Sequence, residues 1–236
     1  MPTSKKTVAK GGKKVAARSA PKKSALKKKK WENLAQFDIA LRDTDLKRTI
    51  IIPADTDLYK CASIIMEVFG WHGCHSWEFA QGRNTRYAVP SDLDAELAPM
   101  GVKSYDARKC TIGELLKKKG DKIEFDYDSG DGWEHVITRM DEPEFDIPCC
   151  CSREGTMGID DIGGPWGLKQ FTEKMLKYET SPASKRDKSF RKELEWYGFG
   201  TKEKRIRFLN GPSPMELSLS VYALLQTKLD DLMPLG

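Results

Sequence analysis

Hydrophobic and polar residues alternate with a period of two along several stretches of the chain. The alternation runs through 35–41, 46–52 and 122–127, and it resumes at 133–138 just after the third stretch. This period is typical of strands that bury one face. Because turn-forming residues separate the members of each pair, the pattern predicts two β-hairpins. Between them, 81–109 is predicted to be a polar loop with one short strand at 86–89.

Other stretches repeat their apolar residues every three or four positions, which indicates helices. The first predicted helix is capped by Asp55 or Thr56 and ends at Gly70, a residue that readily adopts the left-handed backbone of a helix end. A short helix is predicted to follow Thr111, which is a good capping residue.

The C-terminal third is predicted to be helical. A helix of about 12 residues is expected from Leu168, and another around 190–196. Pro214 suits the first turn of a final helix. Apolar residues cover so much of that helix that we expect it to pack on the body or on a second copy. Together the elements predict an α+β fold, with helices packed on a mixed or antiparallel sheet.

The register of the 122–138 hairpin determines the environment of a histidine. Pairing Tyr127 with Trp133 places Phe125 opposite His135, and one face is then apolar except for the imidazole. A slip of one residue would move this set to the other face, so burial selects the first register. We expect His135 to be partly buried, within reach of the carboxylates at the hairpin tip. A core histidine satisfied by one hydrogen bond is the alternative.

Carboxylates and imidazoles recur at the glycine-rich turns, and we expect Asp131, His135, His75 and Asp161 to converge as candidate catalytic residues. Carboxylates with one or two imidazoles suit Mn, Zn or Mg, so a divalent metal is the cofactor that this set fits. Turn formation alone is the competing explanation for the aspartates. The metal-ligand candidates are His75, Asp128, Asp131, His135, Asp160 and Asp161.

The cysteines do not form a familiar metal motif. Cys74 lies between His72 and His75, but the chain has no CxxC pair and no HExxH, so a zinc finger is not predicted. The consecutive cysteines 149–151 cannot easily bind one tetrahedral ion together, and we expect ordinary thiols there.

Charge divides the chain into two unlike parts. Residues 1–30 carry eleven lysines and Arg18 without a single acidic residue, a net charge of +12, whereas 31–236 has a net charge of −7. With almost no large apolar side chains, 1–30 is predicted to be a disordered arm attached to a single domain, 31–236. The lysines expected to contact nucleic-acid phosphates are Lys22, Lys23, Lys27, Lys28, Lys29 and Lys30. A solubilising tail is the alternative.

The sequence also argues against several classes of protein. No apolar run approaches the roughly 20 residues that span a bilayer, and no secretory signal is recognisable. Six cysteines without even spacing do not predict a secreted disulfide framework. We therefore expect an intracellular protein, cytoplasmic or, in a eukaryote, nuclear, with no membrane partner.

Three motifs resemble the plasmid pRiA4b ORF-3-like family over roughly residues 35–196. The third motif carries Asp160 where the family usually has Glu, and 157–159 lacks the usual Cys and Pro. The arm and the helical extension at 197–236 lie outside the resemblance. The motifs are Tyr127-Asp128-x-Gly130-Asp131-x-Trp133-x-His135-x-Ile137, Gly70-Trp71-x-x-x-His75-x-x-x-Phe79 and Asp160-Asp161-x-Gly163-Gly164-Pro165-x-Gly167.

The resemblance implies an intracellular α+β domain from a family without an established activity. Some relatives are described as transposon passenger proteins, which suggests an association with mobile DNA. Three functions stay open at this point. The chain is a nucleic-acid-associated accessory protein, a metal-dependent hydrolase or nuclease, or a non-catalytic module whose aspartates form turns.

Overall fold

The centre of the fold is a mixed β-sheet. The computed structural model describes residues 31–232, and the predicted arm at 1–30 lies outside the described residues. The described strands are β1 (Leu34–Leu41), β2 (Lys47–Pro53), β3 (Trp77–Ala80), β4 (Thr85–Ala88), β5 (Lys103–Asp106), β6 (Lys122–Tyr127), β7 (Trp133–Arg139) and β8 (Cys149–Glu154). They lie in the order β5-β4-β3-β6-β7-β1-β2-β8, and the β4–β5 pair is parallel.

Helices cover the sheet and extend the chain beyond it, so the predicted α+β class is confirmed. The described α-helices are α1 (Leu58–Phe69), α2 (Leu93–Leu97), α3 (Ile112–Leu115), α4 (Gly164–Thr180), α5 (Lys188–Trp196), α6 (Lys202–Asn210) and α7 (Pro214–Gln226). The division into an arm and one domain stays a prediction.

Both predicted hairpins are present, and the register of the second is the expected one. Tyr127 pairs with Trp133 and Phe125 with His135. The alternation therefore sends one set of side chains into the core and leaves the charged set outside. Burial of the apolar face is sufficient to choose between the two registers.

The predicted and observed starts of α1 and α4 differ. The N-cap of α1 is Asp57 rather than Asp55 or Thr56, because its carboxylate accepts the Lys60 backbone N–H at 2.7 Å. Helix α4 begins at Gly164, before the predicted start at Leu168, since Pro165 fits a first helical turn.

The strands and helices that were not predicted include β5, β8, α2 and α6. Strand β5 is short and largely exposed, and α2 buries no side chain, so neither needs an apolar repeat. Helix α6 buries only Arg205 and Phe208. A helix that contributes so few apolar contacts leaves almost no periodic signal in the sequence.

The final helix packs on the body, which was one of the two expected arrangements. Leu217 and Val221 of α7 are buried, and the helix contacts α1 and the edge strand β8. The Ser218 hydroxyl lies 3.1 Å from both the backbone N and the backbone O of Cys150 in β8. Leu219 on the outer side is exposed. Association of two copies through that side stays a prediction.

A buried arginine joins α1 to two strands and was not singled out in the sequence. The Arg48 guanidinium donates hydrogen bonds to the carbonyls of Val68, Lys47 and Glu154. Burial lowers the pKa of Arg48 to about 10. The charged group thus holds the end of α1 against the β2–β8 edge.

The core beside α1 is built around a hydrogen bond between two aromatic rings. Trp71 Nε1 donates to His135 Nε2 at 3.1 Å. Because an indole nitrogen can only donate, His135 Nε2 must accept, and Nδ1 then donates to the Phe125 carbonyl at 3.0 Å. The Trp71 ring also packs on Trp133, with the ring centroids 4.5 Å apart.

This arrangement corrects the expected place of His135. The side chain is fully buried rather than partly buried, and both ring nitrogens are engaged by Trp71 and Phe125 rather than by carboxylates. Desolvation lowers the pKa of His135 to about 4. The residue is therefore a neutral imidazole inside the core, close to the alternative considered above.

Trp133 provides the first test of this core. It is 0% exposed, so Trp133→Ala should lower the free energy of unfolding by roughly 3–5 kcal/mol, through lost burial and the cavity left behind. Denaturant unfolding gives this value. Trp196 is 85% exposed, and Trp196→Ala is the matched control that should change little. Equal losses in the two variants would contradict this assignment.

His135 should make stability depend on pH. Its pKa in the folded chain is about 4, below the ordinary 6.5. Between these values an unfolded chain binds a proton that the folded chain excludes, so stability falls as pH drops. From pH 7 to pH 5 the loss attributable to this group is about 2 kcal/mol. We expect His135→Gln to show that much less pH dependence in denaturant unfolding.

The control for this test is a core variant without a titratable group. Ile137 lies on the same strand and is 2% exposed, and Ile137→Val should lower stability while keeping the pH dependence of the unaltered protein. If the His135 and Ile137 variants show the same pH dependence between pH 7 and pH 5, the neutral buried imidazole is not the source of the effect.

Candidate functional site

Three loops meet at one end of the β6–β7 hairpin. The loop between α1 and β3 carries Cys74 and His75, the hairpin tip carries Asp128, and the turn before α4 carries Asp160 and Asp161. Ligand atoms of His75, Asp128 and Asp161 all lie within 4.8 Å of one another, and the same holds for Cys74, His75 and Asp160. His75 belongs to both groups and is the centre of the site.

The Nε2 nitrogen of the His75 ring faces two carboxylates. Nε2 lies 3.7 Å from Asp128 Oδ2 and 3.4 Å from Asp161 Oδ1. It is buried and makes no hydrogen bond with the described residues. The His75 side chain is 26% exposed and that of Asp161 is 76% exposed, so the group opens to solvent on the Asp161 side.

Asp128 divides its two oxygens between the turn and the site. Oδ1 accepts the backbone N–H of Gly130 at 3.0 Å, an Asx turn that shapes the hairpin tip. Oδ2 faces His75. Asp128 and Asp161 both have left-handed backbones, with φ of 53° and 57°. Aspartate tolerates this conformation better than most residues, and here it aims both carboxylates at one imidazole.

Asp160 is the buried carboxylate of the site, with a side chain only 5% exposed. Its Oδ2 accepts the His72 backbone N–H and lies 2.9 Å from His72 Nδ1. Its Oδ1 is buried, and so is the Tyr127 hydroxyl, which interacts with the Asp160 carboxylate. Burial and the neighbouring Asp160 raise the pKa of Tyr127 above its ordinary value.

Asp131 joins two of the loops instead of entering the cluster. Its Oδ2 accepts the Gly163 backbone N–H at 3.1 Å. A Cβ on Gly164 would lie 2.4 Å from the Asp131 carbonyl oxygen, and Gly164 has φ of 69°. The hairpin tip and the second acidic turn can therefore pack this closely only with glycine at 164.

The four residues expected to converge are thus separated by the structure. His75 and Asp161 come together with Asp128, whereas Asp131 binds the adjacent turn and His135 lies in the core. Asp160 lies on the Cys74 side of the same cluster.

A cavity of about 360 Å³ opens beside the hairpin tip. Asp128 contributes to its wall, and so do Arg86 and Asp126. Burial, followed by the charges of Glu134, Glu124 and Glu78, raises the pKa of Asp126 to about 6. The cavity therefore combines a guanidinium with carboxylates next to the His75 cluster.

Sequence reasoning missed Cys74 and Tyr127 as neighbours of the site. Cys74 was considered only as part of a zinc finger, and Tyr127 only as a core residue. The signal available was adjacency, since each directly precedes a candidate ligand, His75 or Asp128. A close approach between distant loops cannot be read from that adjacency alone.

The chain matches the model of a protein family, plasmid pRiA4b ORF-3-like protein, over residues 33–203. It is also similar to the uncharacterized protein y4hQ of Sinorhizobium fredii (strain NBRC 101917 / NGR234). The two are 27% identical over 155 residues, which cover 64% of this chain and 73% of y4hQ.

A solved structure has a similar fold. It is the crystal structure of MM3350 from Methanosarcina mazei Go1, described as a protein of unknown function. The TM-score is 0.53 with 17% sequence identity, covering 69% of this chain and 87% of that one, and at this identity the likeness concerns the fold alone. Because the family match extends over well more than half of its residues and contains all three motifs, the chain belongs to the plasmid pRiA4b ORF-3-like family.

Proposed function

We propose that the protein is an intracellular nucleic-acid-associated accessory protein. The basic arm at 1–30 contacts phosphates without sequence preference, and the α+β body recognises a partner or a structure. The observation that carries this proposal is the separation of charge, +12 on the arm against −7 on the remaining residues. Lysines that neutralise phosphates release counterions, which supplies affinity independent of sequence.

The ion pairs within the body support phosphate binding by the arm rather than by the body. Several of its guanidinium groups are already paired with carboxylates, so they are less available to phosphates. Arg205 pairs with the buried Glu179, and Arg42 with the acidic outer face of the hairpin. Further pairs are Arg86–Glu78, Arg108–Asp106, Arg191–Glu195 and Arg207–Glu216.

Nothing in the described part of the chain forms a membrane-crossing helix, since none of its helices is both long and apolar enough. The partner that we propose is nucleic acid, reached through the arm. The exposed outer side of α7, around Leu219, is where the proposal places a protein partner.

A second candidate function is a metal-dependent hydrolase or nuclease. The observation that favours it is the convergence of His75, Asp128 and Asp161 beside the 360 Å³ cavity. A metal on such a set can activate water or bind a phosphate oxygen. Hydrolysis of a phosphodiester that requires added metal and disappears in Asp161→Asn would favour this candidate over the accessory protein.

The arm should dominate nucleic-acid affinity. Each phosphate neutralised contributes about −0.9 to the slope of log K against log salt on duplex DNA, so an arm that uses half its charges gives a slope near −5. Fluorescence anisotropy at several salt concentrations measures the slope. Binding by a chain that starts at Trp31 should be much weaker, and equally tight binding would contradict the proposal.

A charge-matched pair of full-length variants distinguishes the contribution of the arm to binding from the effect of net charge. Replacing Lys27, Lys28 and Lys29 by glutamine should reduce the slope. Replacing Lys117, Lys118 and Lys119, an exposed run on the body, removes the same charge and should leave the slope nearly unchanged. Equal effects would assign the affinity to overall charge rather than to the arm.

A further inference from the structure

We propose that His75, Asp128 and Asp161 bind one divalent ion of the zinc type, with the buried Asp160 and the exposed Cys74 next to His75 in the same cluster. The site joins the three loops at the hairpin tip. It goes beyond the proposed nucleic-acid association, because it concerns the body alone, and it supplies the ion that the hydrolase alternative needs.

The distances around His75 suit ligands better than hydrogen-bond partners. Nε2 lies 3.4 Å from Asp161 Oδ1 and 3.7 Å from Asp128 Oδ2, longer than a good N–H···O bond. Two ligand atoms about 2.0–2.2 Å from a tetrahedral zinc are about 3.3–3.6 Å apart. One ion can therefore take the place between these atoms with small side-chain adjustments.

Buried polar atoms give a second, independent observation. Asp160 is more than nine-tenths buried, and the contacts of its carboxylate include the His72 backbone N–H and the Tyr127 hydroxyl, which carry no charge. A carboxylate oxygen of Asp160 lies within 4.8 Å of a ring nitrogen of His75 and of Cys74 Sγ. A buried carboxylate held by neutral groups keeps much of its desolvation cost, and a cation or a solvated cation beside it lowers that cost.

The surrounding contacts already fix the ligands in place. Asp128 is oriented through Oδ1 by the Gly130 N–H, and the Asp161 carbonyl accepts a hydrogen bond from Tyr197 Oη at 3.1 Å. His72 holds the second oxygen of Asp160. Such outer contacts orient metal ligands and reduce the entropy lost on binding.

The donor types select the class of ion. The imidazole ligand favours zinc and its neighbours over Mg²⁺ and Ca²⁺, which prefer oxygen alone. The ligands come from three separate loops, so the site differs from the zinc finger that the sequence argued against. Three ligands leave a coordination position open on the solvent side, where a water molecule can bind.

The test uses the full-length chain, purified without a nickel column and stripped with chelator. Titration with Zn²⁺ should give one equivalent of tightly bound ion, and Mg²⁺ or Ca²⁺ should not compete. Asp161→Asn should weaken zinc binding about tenfold or more, and His75→Ala further. Because Asp161 is exposed, its variant should fold normally, which circular dichroism and thermal melting can verify.

Matched controls locate the ion. Asp43 is another exposed aspartate with left-handed backbone, φ of 57°, and Asp43→Asn should bind zinc like the unaltered protein. Cys74 is not one of the three ligands, so Cys74→Ser should still bind one equivalent of zinc. Zinc affinity unchanged in both the Asp161 and His75 variants, absence of a bound equivalent, or binding of Mg²⁺ or Ca²⁺ alone would overturn the proposal. None of these measurements involves nucleic acid, so failure here leaves the role of the arm unaffected.

Discussion

The hydrogen bond from Trp71 to His135 is the contact on which the arrangement of the loops depends. It is made between two buried rings, and it fixes the indole against the β6–β7 hairpin. A Cβ on Gly158 would lie 2.1 Å from the Trp71 ring, so the segment that leads to the second acidic turn must pass directly over the indole. A buried donor and acceptor without each other would cost free energy, which makes this orientation of both rings strongly preferred.

Each loop of the site is anchored in that same aromatic core. Trp71 comes shortly before Cys74 and His75, Tyr127 and Trp133 flank the hairpin tip, and Gly158 comes shortly before Asp160. The functional side chains are thus held a few residues from rigid, packed positions rather than on long free loops. This explains how three segments that are distant in sequence bring an imidazole and carboxylates within ligand distance of one another.

The sequence predicted what depends on local periodicity and burial. The α+β class, the register of Tyr127 against Trp133, and the capping role of Thr111 all follow from patterns within a few residues. It did not predict α6 or β5, because they bury too few apolar residues. It also placed His135 with the carboxylates, since proximity along a strand says nothing about Trp71, 64 residues away. Cys74 was not placed at the site for the same reason, because Asp160 comes to it from another loop.

The position of α7 also affects how the sheet meets other molecules. An edge strand normally offers free backbone groups to any passing extended segment, which is the first step in swapping or fibre formation. On β8 the Ser218 hydroxyl occupies both backbone groups of Cys150, and the helix lies across the strand. The opposite edge, β5, is only four residues long and begins with Lys103. Growth of the sheet by strand addition is therefore blocked at one end and discouraged at the other, so copies can reach a high local concentration without joining edge to edge.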